Sequence, residues 1–444
     1  MARSKAVSGF PEWLPEGRMV ERQVLDALRR VFELHSYVEI ETRAVEPLGD
    51  LLRKGETSKE VYVLGRLQDE GASFSDDTLA LHFDLTVPLA RYVLGNAGRL
   101  DFPFKRCQIQ KVWRGERPQQ GRFREFTQAD VDVIGRDTLP FTYEVEVAAV
   151  MAEALRALPI GQVRLSVNNR KVCEAFYRGL GLEDVESVLR WIDKLAKIGP
   201  VLVGEGLESS GLTPAQSRAC LELASLNADD DGITALVSGL ASRLGVGSAL
   251  LETGLSELGE LMLSLAEDAP GVARADLSVA RGLDYYTGSV YETTLIGAPE
   301  LGSICSGGRY DNLVSSGKQV FPGVGLSIGV TRLVSHMLGS VGVSRSVPAC
   351  VWIAVVDEEH RSESRTVARA LRARGIPCDV SPNAAKYGKQ IAAADRRGIP
   401  FVWFPGEDGE ADQVKDIRSG EQVEASSESW SPPDGDLVPG LVGV

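Results

Sequence analysis

A run of alternating side chains at residues 123–133, FREFTQADVDV, is the feature that most constrains how this chain can fold. The even-numbered positions carry side chains that can bind or stack, namely Arg124, Phe126, Gln128, Asp130 and Asp132. The odd-numbered positions from 129 onward carry only alanine and valine. Because successive side chains of a β-strand point to opposite faces, this period predicts a strand with one packed face and one functional or solvated face.

A second strand-like stretch precedes this one, and the segment PQQG at 118–121 interrupts the two. Residues 108–135 are therefore predicted to form an antiparallel strand pair joined by a basic loop. The side chain of Arg114 projects from the end of the first strand, and the side chain of Phe126 projects from the second. An arginine fork can hold a phosphate through two hydrogen bonds, and a phenylalanine face can stack on a base. This combination favours a nucleotide over a protein as the ligand.

The distribution of charge also points to anionic ligands. The chain is acidic overall, with a formal net charge of −14 at pH 7, which argues against non-specific coating of nucleic acid. Residues 105–124 nevertheless hold seven basic and one acidic residue, and residues 361–397 hold nine basic and three acidic. Such runs are commonly solvated faces, but two separate basic patches in one acidic chain weaken that interpretation.

Cysteine and histidine usage argues against disulfides and against a structural metal. The six cysteines include no CxxC pair, and the four histidines do not cluster with them, so no structural metal is expected. No apolar run approaches the ~20 residues that span a bilayer, and the first residues lack the apolar centre of a signal peptide. We therefore expect a cytoplasmic protein that does not enter a membrane.

The order of predicted elements divides the chain into a large and a small part. Residues 1–340 mix strands and helices, with a mostly helical insertion at about 171–272, and residues 341–348 are predicted to be a linker. Residues 349–444 alternate between strand and helix, which predicts a small α/β domain with a mixed sheet. The residues from Glu424 onward look like an acidic tail. The predicted fold class is α/β, more closely α+β.

Several distant segments resemble one family. RGERPQQGRFREF at 114–126 resembles motif 2 of class II aminoacyl-tRNA synthetases in the histidyl form, and RGLDYYTGSVYE at 281–292 resembles the histidine-binding signature of histidyl-tRNA synthetases. GVGLSIGVTRL at 323–333 resembles motif 3, LHFDLTVPLARY at 81–92 resembles the amino-acid loop, and the helix from Pro15 resembles motif 1. The resemblance implies an antiparallel-sheet catalytic domain with a helical insertion, followed by an anticodon-binding domain.

The resemblance implies ATP as a co-substrate, together with Mg²⁺. Activating an amino acid brings its carboxylate against the α-phosphate, so positive charge must neutralise two anions. By resemblance, Arg114 contacts the α-phosphate and the substrate carboxylate, Arg332 holds the γ-phosphate end, and Arg281 lies beside the α-phosphate. Phe126 would stack on adenine, and Glu116 would lie near the adenine amino group.

The same resemblance implies a pocket for L-histidine. Its residues are Asp84, Thr86, Arg114, Gln128, Asp132, Arg281, Tyr285 and Tyr286. A carboxylate at Asp84 suits the ammonium group, with Thr86 beside it. Neutral imidazole has one donor and one acceptor nitrogen. Asp132 can therefore accept a hydrogen bond from the N–H, while Tyr286 can form a hydrogen bond with the other nitrogen. Asp130 shares the face of Asp132 but matches no assigned role, and we expect it to be structural.

The remaining implications concern partners. The loop residues Arg117, Gln119 and Gln120 would reach the acceptor end of tRNA(His), and the domain from residue 349 would bind the anticodon with the basic stretch at 361–397. Motif 1 forms the subunit interface in this family, which implies a homodimer. The helical insertion would contact the acceptor stem.

Two other functions remain open on the sequence alone. A regulatory subunit of ATP phosphoribosyltransferase keeps this fold and senses histidine without charging tRNA, but it generally lacks an anticodon-binding domain and parts of the ATP motifs. A tRNA-binding accessory protein without catalysis is the third alternative. Arg114, Arg281 and Arg332 disfavour both, and the C-terminal domain disfavours the first.

Overall fold

The computed structural model describes residues 5–52, 60–68, 74–119, 121–280, 285–316, 319–406 and 410–443. The chain forms two compact units, each with its own β-sheet. One unit contains the residues up to Pro11 together with Leu25–Ser335, and the other contains Glu12–Val24 with His336–Val444. The first unit holds the predicted hairpin and the segment at 323–333.

The strands of the first unit are β1 (Val38–Glu39), β2 (Val45–Pro47), β3 (Leu79–Leu81), β4 (Phe104–Trp113), β5 (Glu125–Ile134), β6 (Val163–Asn169), β7 (Asn227–Ala228), β8 (Ala273–Asp276), β9 (Ser289–Leu295), β10 (Ser303–Tyr310), β11 (Ser315–Ser316), β12 (Gln319–Val320) and β13 (Gly323–Gly329). The helices up to the end of this unit are α1 (Pro15–Leu34), α2 (Leu48–Leu52), α3 (Thr86–Asn96), α4 (Thr142–Arg156), α5 (Arg170–Gly179), α6 (Val185–Ile192), α7 (Leu195–Ser209), α8 (Pro214–Ser225), α9 (Ile233–Leu244), α10 (Ala249–Asp268) and α11 (Val330–Met337).

A nine-stranded sheet in the order β1-β4-β5-β13-β10-β9-β6-β8-β7 organises the first unit. The central neighbours are antiparallel, and only β1 with β4 and β6 with β8 are parallel. The predicted hairpin is present as β4 and β5, which pair antiparallel over ten residues from Phe104↔Ile134 to Trp113↔Glu125. The motif-3 segment follows as β13, which pairs with β5 on its other edge. The resulting sheet is mixed, with an antiparallel centre.

Helix α3 is tied to the sheet by apolar packing. Leu89 and Val93 on its buried face are fully enclosed, in one core cluster with Tyr286, Tyr310 and Phe321. Their spacing of four residues places them on one side of the helix. Helix α3 is thereby held beside Tyr310 of β10 and Tyr286, which lies in the loop before β9.

The region expected to be a helical insertion contains α5 to α10. It also returns the short strands β7 and β8 to the edge of the main sheet, beside β6. Helix α7 is interrupted at Gly199, whose φ of 78° is left-handed and is followed by Pro200 inside the helix. Proline removes a backbone donor and glycine tolerates positive φ, so the two residues break α7 into segments.

The second unit contains the remaining elements. They are β14 (Gly342–Val343), β15 (Val351–Ile353), α12 (Arg361–Ala373), β16 (Cys378–Val380), α13 (Tyr387–Asp395), β17 (Phe401–Phe404), β18 (Gln413–Asp416), β19 (Gln422–Glu424) and β20 (Leu441–Val442). Strands β16, β15 and β17 are parallel, and β18 and β19 continue the sheet antiparallel. Val351 and Ile353 pack in one core cluster with α12, whereas Trp352 packs in another with α13. The expected mixed sheet is confirmed.

The expectation of an acidic tail after Glu424 is wrong. Trp430 packs against Phe401 and Trp403, with ring centroids 5.3 and 5.5 Å apart. Strand β20 pairs antiparallel with β14, so the segment predicted to be a linker contains a short strand. The acidic composition suggested a tail. Trp430, Leu441 and Val442 nevertheless supply enough apolar surface to hold the segment in place.

We predict that Gly307→Ala destabilises the first unit. A Cβ at Gly307 would lie 1.9 Å from the carbonyl oxygen of Gly325, so β10 and β13 would have to separate. Gly329→Ala is the matched control, because its Cβ would find its nearest neighbour 3.8 Å away. We expect a loss of ~2–4 kcal/mol in the free energy of unfolding for the first variant and less than ~1 kcal/mol for the second, measured by urea denaturation. Equal stability of the two variants would contradict this account.

Candidate active site

A cavity of about 950 Å³ opens on the face formed by β5, β13, β10 and β9. Its lining includes most of the residues predicted to bind ligands: Asp84, Thr86, Arg114, Glu116, Gln119, Phe126, Gln128, Asp132, Tyr285, Tyr286 and Arg332. These residues lie on widely separated parts of the chain. One end of the cavity carries arginine and phenylalanine, and the other carries carboxylates and tyrosines.

The β4–β5 ladder brings three polar pairs onto one face. Arg106 lies opposite Asp132, Gln108 opposite Asp130, and Gln110 opposite Gln128. Directly opposed side chains of an antiparallel pair lie close enough to interact. Gln108 donates hydrogen bonds to Thr42 Oγ1 at 2.9 Å and to Gln110 Oε1 at 2.7 Å. The even-numbered residues of β5 therefore form part of the cavity wall together with polar side chains of β4 beside them.

Asp132 is held from three sides. Arg106 Nη2 lies 2.6 Å from its Oδ2 as an ion pair, and the guanidinium has no solvent exposure. The Tyr310 hydroxyl donates to Oδ1 at 2.6 Å. A Cβ at Gly325 would lie 2.0 Å from the same Oδ1, so the carboxylate fills the space that this glycine leaves. The position of the Asp132 carboxylate is therefore fixed by charge, by hydrogen bonding and by shape.

Asp130 is buried next to this pair, with 2% of its surface exposed. Burial raises the pKa of its carboxyl from the ordinary 3.8 to about 7, and Asp132 and Asp84 add to the increase. Arg106, 4.0 Å away, opposes the shift. The Gln128 amide nitrogen donates to its Oδ1 at 3.4 Å. Asp130 is thus a buried carboxyl in the cavity wall whose ionised form is disfavoured.

Asp84 lies at the beginning of α3. Its Oδ1 accepts a hydrogen bond from the backbone N–H of Val87 at 3.2 Å, and its side chain is buried. A carboxylate at a helix N-terminus is stabilised by the unpaired amides of the first turn. Thr86 is the first residue of the same helix. Both residues line the cavity beside the tyrosines, where their oxygens suit a cationic group.

The tyrosine segment forms the opposite wall. The Tyr285 hydroxyl donates to that of Tyr286 at 3.2 Å, and the Tyr285 ring meets Tyr310 edge-on at 6.1 Å. The chain just beyond is anchored by buried Glu144, which accepts from Arg309 Nη1 at 2.8 Å and from the Ser289 backbone at 3.1 Å. This anchoring restricts where the two tyrosines can lie.

Arg114 defines the other end of the cavity. Its Nε donates to the Phe83 carbonyl oxygen at 3.0 Å, which fixes the guanidinium near the start of α3. The guanidinium carbon lies 5.1 Å from the centre of the Phe126 ring, so it covers one face of that ring. Glu116 lies 3.9 Å from Arg114 and 3.0 Å from Arg122. Cation and aromatic face are therefore adjacent, an arrangement that can hold a phosphate and a stacked base.

Arg332 is held by main-chain oxygens. Its Nε donates to the Gly121 carbonyl at 2.8 Å, and its Nη1 donates to Leu301 at 3.2 Å and to Ser303. Gly121 has a φ of 72°, a left-handed conformation that glycine adopts without strain. The end of the basic loop is thereby fastened to the first turn of α11, and Arg332 is positioned at the rim of the cavity.

Some predicted residues are not brought to the cavity. Arg117 is exposed and lies outside the lining, although Gln119 belongs to it. Arg281 and Gln120 lie outside the described residues, so their predicted roles stay predictions. Asp193, Ala196 and Lys197, from the end of α6 and the start of α7, also line the cavity. The helical insertion therefore contributes to the rim.

Sequence reasoning missed Arg106 and Tyr310. The signal for Arg106 was available, because continuing the predicted hairpin outward from its loop places a residue near 106 opposite Asp132. A buried arginine facing a buried carboxylate is a strong indication of a pair. Tyr310 had no such signal, because its contact with Asp132 joins residues 178 positions apart.

Two properties of the described part of the chain bear on ligands. No group of three or more histidine, cysteine, aspartate or glutamate side chains there is arranged to hold a metal ion. None of the helices in the described ranges combines the length and apolar character that crossing a bilayer requires.

We predict that Asp130→Asn stabilises the fold at alkaline pH. The folded chain holds this proton up to a pH of about 7, whereas the unfolded chain releases it near 3.8, so stability of the parent falls as the pH rises between these values. The variant avoids that loss. We expect a gain of ~1–3 kcal/mol at about pH 8 and a smaller gain at about pH 5, measured by chemical denaturation. A gain that is larger at the lower pH would contradict the assignment.

Comparison with known proteins identifies relatives of the whole chain. The family model described as histidyl-tRNA synthetase matches residues 9–333, and that of an anticodon binding domain matches residues 350–430. A histidine–tRNA ligase of Micrococcus luteus is 57% identical, over 99% of this chain and 98% of that protein. One of Cutibacterium acnes is 53% identical, over 100% of both.

Solved structures give the same result. The crystal structure of histidyl-tRNA synthetase from a Nostoc species has a TM-score of 0.86 and 36% identity, covering 96% of this chain and 98% of that one. A protein of Bacillus halodurans, described as an ATP phosphoribosyltransferase regulatory subunit/histidyl-tRNA synthetase, is 23% identical with a TM-score of 0.72 and shares the fold. The expected family is confirmed: the chain belongs to the histidyl-tRNA synthetase family.

Proposed function

We propose that the chain is a histidine–tRNA ligase. It activates L-histidine with ATP to form histidyl-adenylate and pyrophosphate, and then transfers histidine to the 3′-terminal adenosine of tRNA(His). The observation that carries this proposal is the continuity of one cavity, whose arginine and aromatic end adjoins its carboxylate and tyrosine end. An amino acid lying across that junction would place its carboxylate beside the α-phosphate of ATP.

The nucleotide would occupy the end formed by Arg114, Phe126 and Arg332. Because Arg114 covers one face of Phe126, adenine would stack on the other face, with Glu116 within reach of the adenine amino group. In the reaction, a carboxylate oxygen of histidine bonds to the α-phosphorus and the bond to the leaving pyrophosphate breaks. Arg114 and Arg281 would neutralise the charge on the α-phosphate, and Arg332 would hold the γ-phosphate. Mg²⁺ would arrive bound to the phosphates of ATP.

Histidine would occupy the acidic end. Its ammonium group would meet Asp84, Thr86 and Gln128, which face a pocket rich in acceptor oxygens. The imidazole would lie between Asp132 and Tyr286, with Tyr285 closing the wall. A buried carboxylate that loses its donor carries a large desolvation cost, so apolar analogues of histidine would be rejected strongly.

The RNA would contact both units. We assign 1–340 to catalysis, with an insertion at about 171–272 against the acceptor stem, 341–348 to a linker, and 349–444 to anticodon binding. Helix α12 carries arginines at 361, 365, 369 and 372 that line a groove of about 580 Å³. Such a row suits phosphate oxygens. A homodimer working in the cytoplasm completes the proposal, with α1 at the subunit interface.

The alternative is the regulatory subunit of ATP phosphoribosyltransferase. That protein would need a histidine site but neither an ATP site nor an anticodon-binding domain. The match of residues 350–430 to an anticodon binding domain and the arginines at the nucleotide end favour the ligase.

Histidine-dependent exchange of pyrophosphate into ATP, followed by charging of tRNA(His), tests the proposal. Both activities are expected from the purified chain. Exchange without charging would indicate an adenylating paralogue, and the absence of both would refute the ligase. Histidine binding without exchange would favour the regulatory alternative.

Substitution of Arg281 separates catalysis from folding. Arg281→Ala is expected to lower the exchange rate by at least ~100-fold, because it removes positive charge from the transition state. Circular dichroism and melting temperature should stay those of the parent. Exchange at the parental rate would contradict the role of Arg281.

Asp132→Ala is expected to raise the KM for histidine by at least ~10-fold while the KM for ATP changes little. The reason is that Asp132 lies at the histidine end of the cavity, away from Phe126. Steady-state exchange kinetics at varied histidine and varied ATP measure the two constants. The variant is also expected to melt at a lower temperature, because Arg106 loses its buried partner. Equal increases in both KM values would contradict a specific contact between Asp132 and histidine.

A further inference from the structure

We propose that Asp130 is a positioning residue that sets the orientation of the Gln128 amide, so that the amide oxygen of Gln128 faces a hydrogen-bond donor of the substrate. This inference rests on the proposed function and concerns the histidine end of the same cavity. Asp130 had no assigned role in the sequence, and its burial beside two other acidic residues needs an explanation.

The geometry at Gln128 leads to this assignment. Its amide nitrogen donates to Asp130 Oδ1 at 3.4 Å and also to Ser327 Oγ. These two bonds use both N–H groups of the amide. The amide oxygen is buried and has no hydrogen-bond partner among the residues that the structure describes. Gln128 is itself 94% buried, since 6% of its surface is exposed, and it lines the cavity.

Asp130 decides between the two orientations of the amide, both directly and through Ser327. The Ser327 hydroxyl donates to Asp130, which lowers the pKa of that carboxyl, and a hydroxyl that donates its one hydrogen there can only accept from Gln128. An ionised carboxylate only accepts, so rotating the Gln128 amide by half a turn would place two acceptor oxygens against each other. Asp130 therefore holds the N–H groups on its own side and leaves the oxygen for a donor of the ligand.

Arg106 makes this arrangement sustainable. Its guanidinium lies 2.6 Å from Asp132 and 4.0 Å from Asp130, so one buried cation faces two carboxylates. Without that charge the two acids would repel each other at close range in a medium of low polarity. The local excess of negative charge also favours a cationic donor, such as an ammonium group, at the free oxygen of Gln128.

A double-mutant cycle in histidine-dependent pyrophosphate exchange tests the proposal. The variants are Asp130→Asn, Gln128→Ala and their combination, assayed at about pH 8, where the Asp130 carboxyl is ionised. Asp130→Asn is expected to raise the KM for histidine by about 10-fold and to leave the KM for ATP within about 2-fold. The double variant should be no worse than Gln128→Ala alone, because Asp130 acts through Gln128.

Glu125→Gln provides the matched control. Glu125 lies on the same strand, but its carboxylate accepts from Trp113 Nε1 at 2.9 Å and pairs with Lys111, away from the cavity lining. Its histidine KM should equal that of the parent. Multiplicative effects of the two substitutions in the double variant would overturn the proposal, as would equal increases in both KM values for Asp130→Asn.

A rescue variant guards against poor folding of the single substitutions. Gln128→Glu places a second acceptor against Asp130 and is expected to weaken histidine binding. Adding Asp130→Asn supplies an amide donor to that glutamate and should restore binding relative to Gln128→Glu alone. A combined variant that binds histidine more weakly than Gln128→Glu would refute the proposal.

Calorimetric titration with histidine keeps the inference separate from the proposed ligase function. If the parent fails to catalyse exchange, the ligase function falls, and the same four proteins of the cycle still report whether Asp130 acts through Gln128. If the parent catalyses exchange and the cycle is multiplicative, only the role of Asp130 falls.

Discussion

The buried contact between Arg106 and Asp132 is the interaction on which the candidate site depends. The two residues face each other across the β4–β5 ladder, and Arg106 has no solvent exposure. Removing a charge of this pair would leave the other charge buried and uncompensated, which is strongly destabilising. The pair therefore fixes the register of the hairpin, sets the electrostatic character of the pocket, and allows Asp130 to remain nearby.

Much of the fold was predictable because its signals are local. The helix expected from Pro15 is present as α1, and the two-residue period of 123–133 correctly predicted β5. The choice between a functional and a solvated face required the rest of the sheet and the loops above it, since the polar residues of β5 line a cavity together with residues of β9, β10 and β13. The acidic stretch after Glu424 was misjudged because composition does not reveal that Trp430 contacts Phe401 and Trp403.

The site was predictable only in part, for a related reason. Motif resemblance pointed to residues that contact ligands, and these do converge on one cavity. Motif resemblance did not point to the residues that hold these ligand-contacting side chains in position. Arg106, Tyr310 and Glu144 act on Asp132 and on the tyrosine segment from other strands and from α4, and such contacts depend on sheet order. Residues that support a site are recognised by packing, whereas residues that touch substrate are recognised by motif.

The glycines of β13 and β10 carry a consequence for ligand selection. Gly323 and Gly325 leave room for Tyr310 and Asp132, and Gly308 leaves room for Tyr286. These side chains pack directly against main chain at the floor of the pocket, so they have little freedom to adopt other rotamers. Substituents on an inhibitor that project toward this floor would have to displace a strand, whereas substituents directed at the rim near Lys197 would meet a flexible side chain. Medicinal chemistry on this scaffold would accordingly find tolerance at the rim and intolerance at the floor.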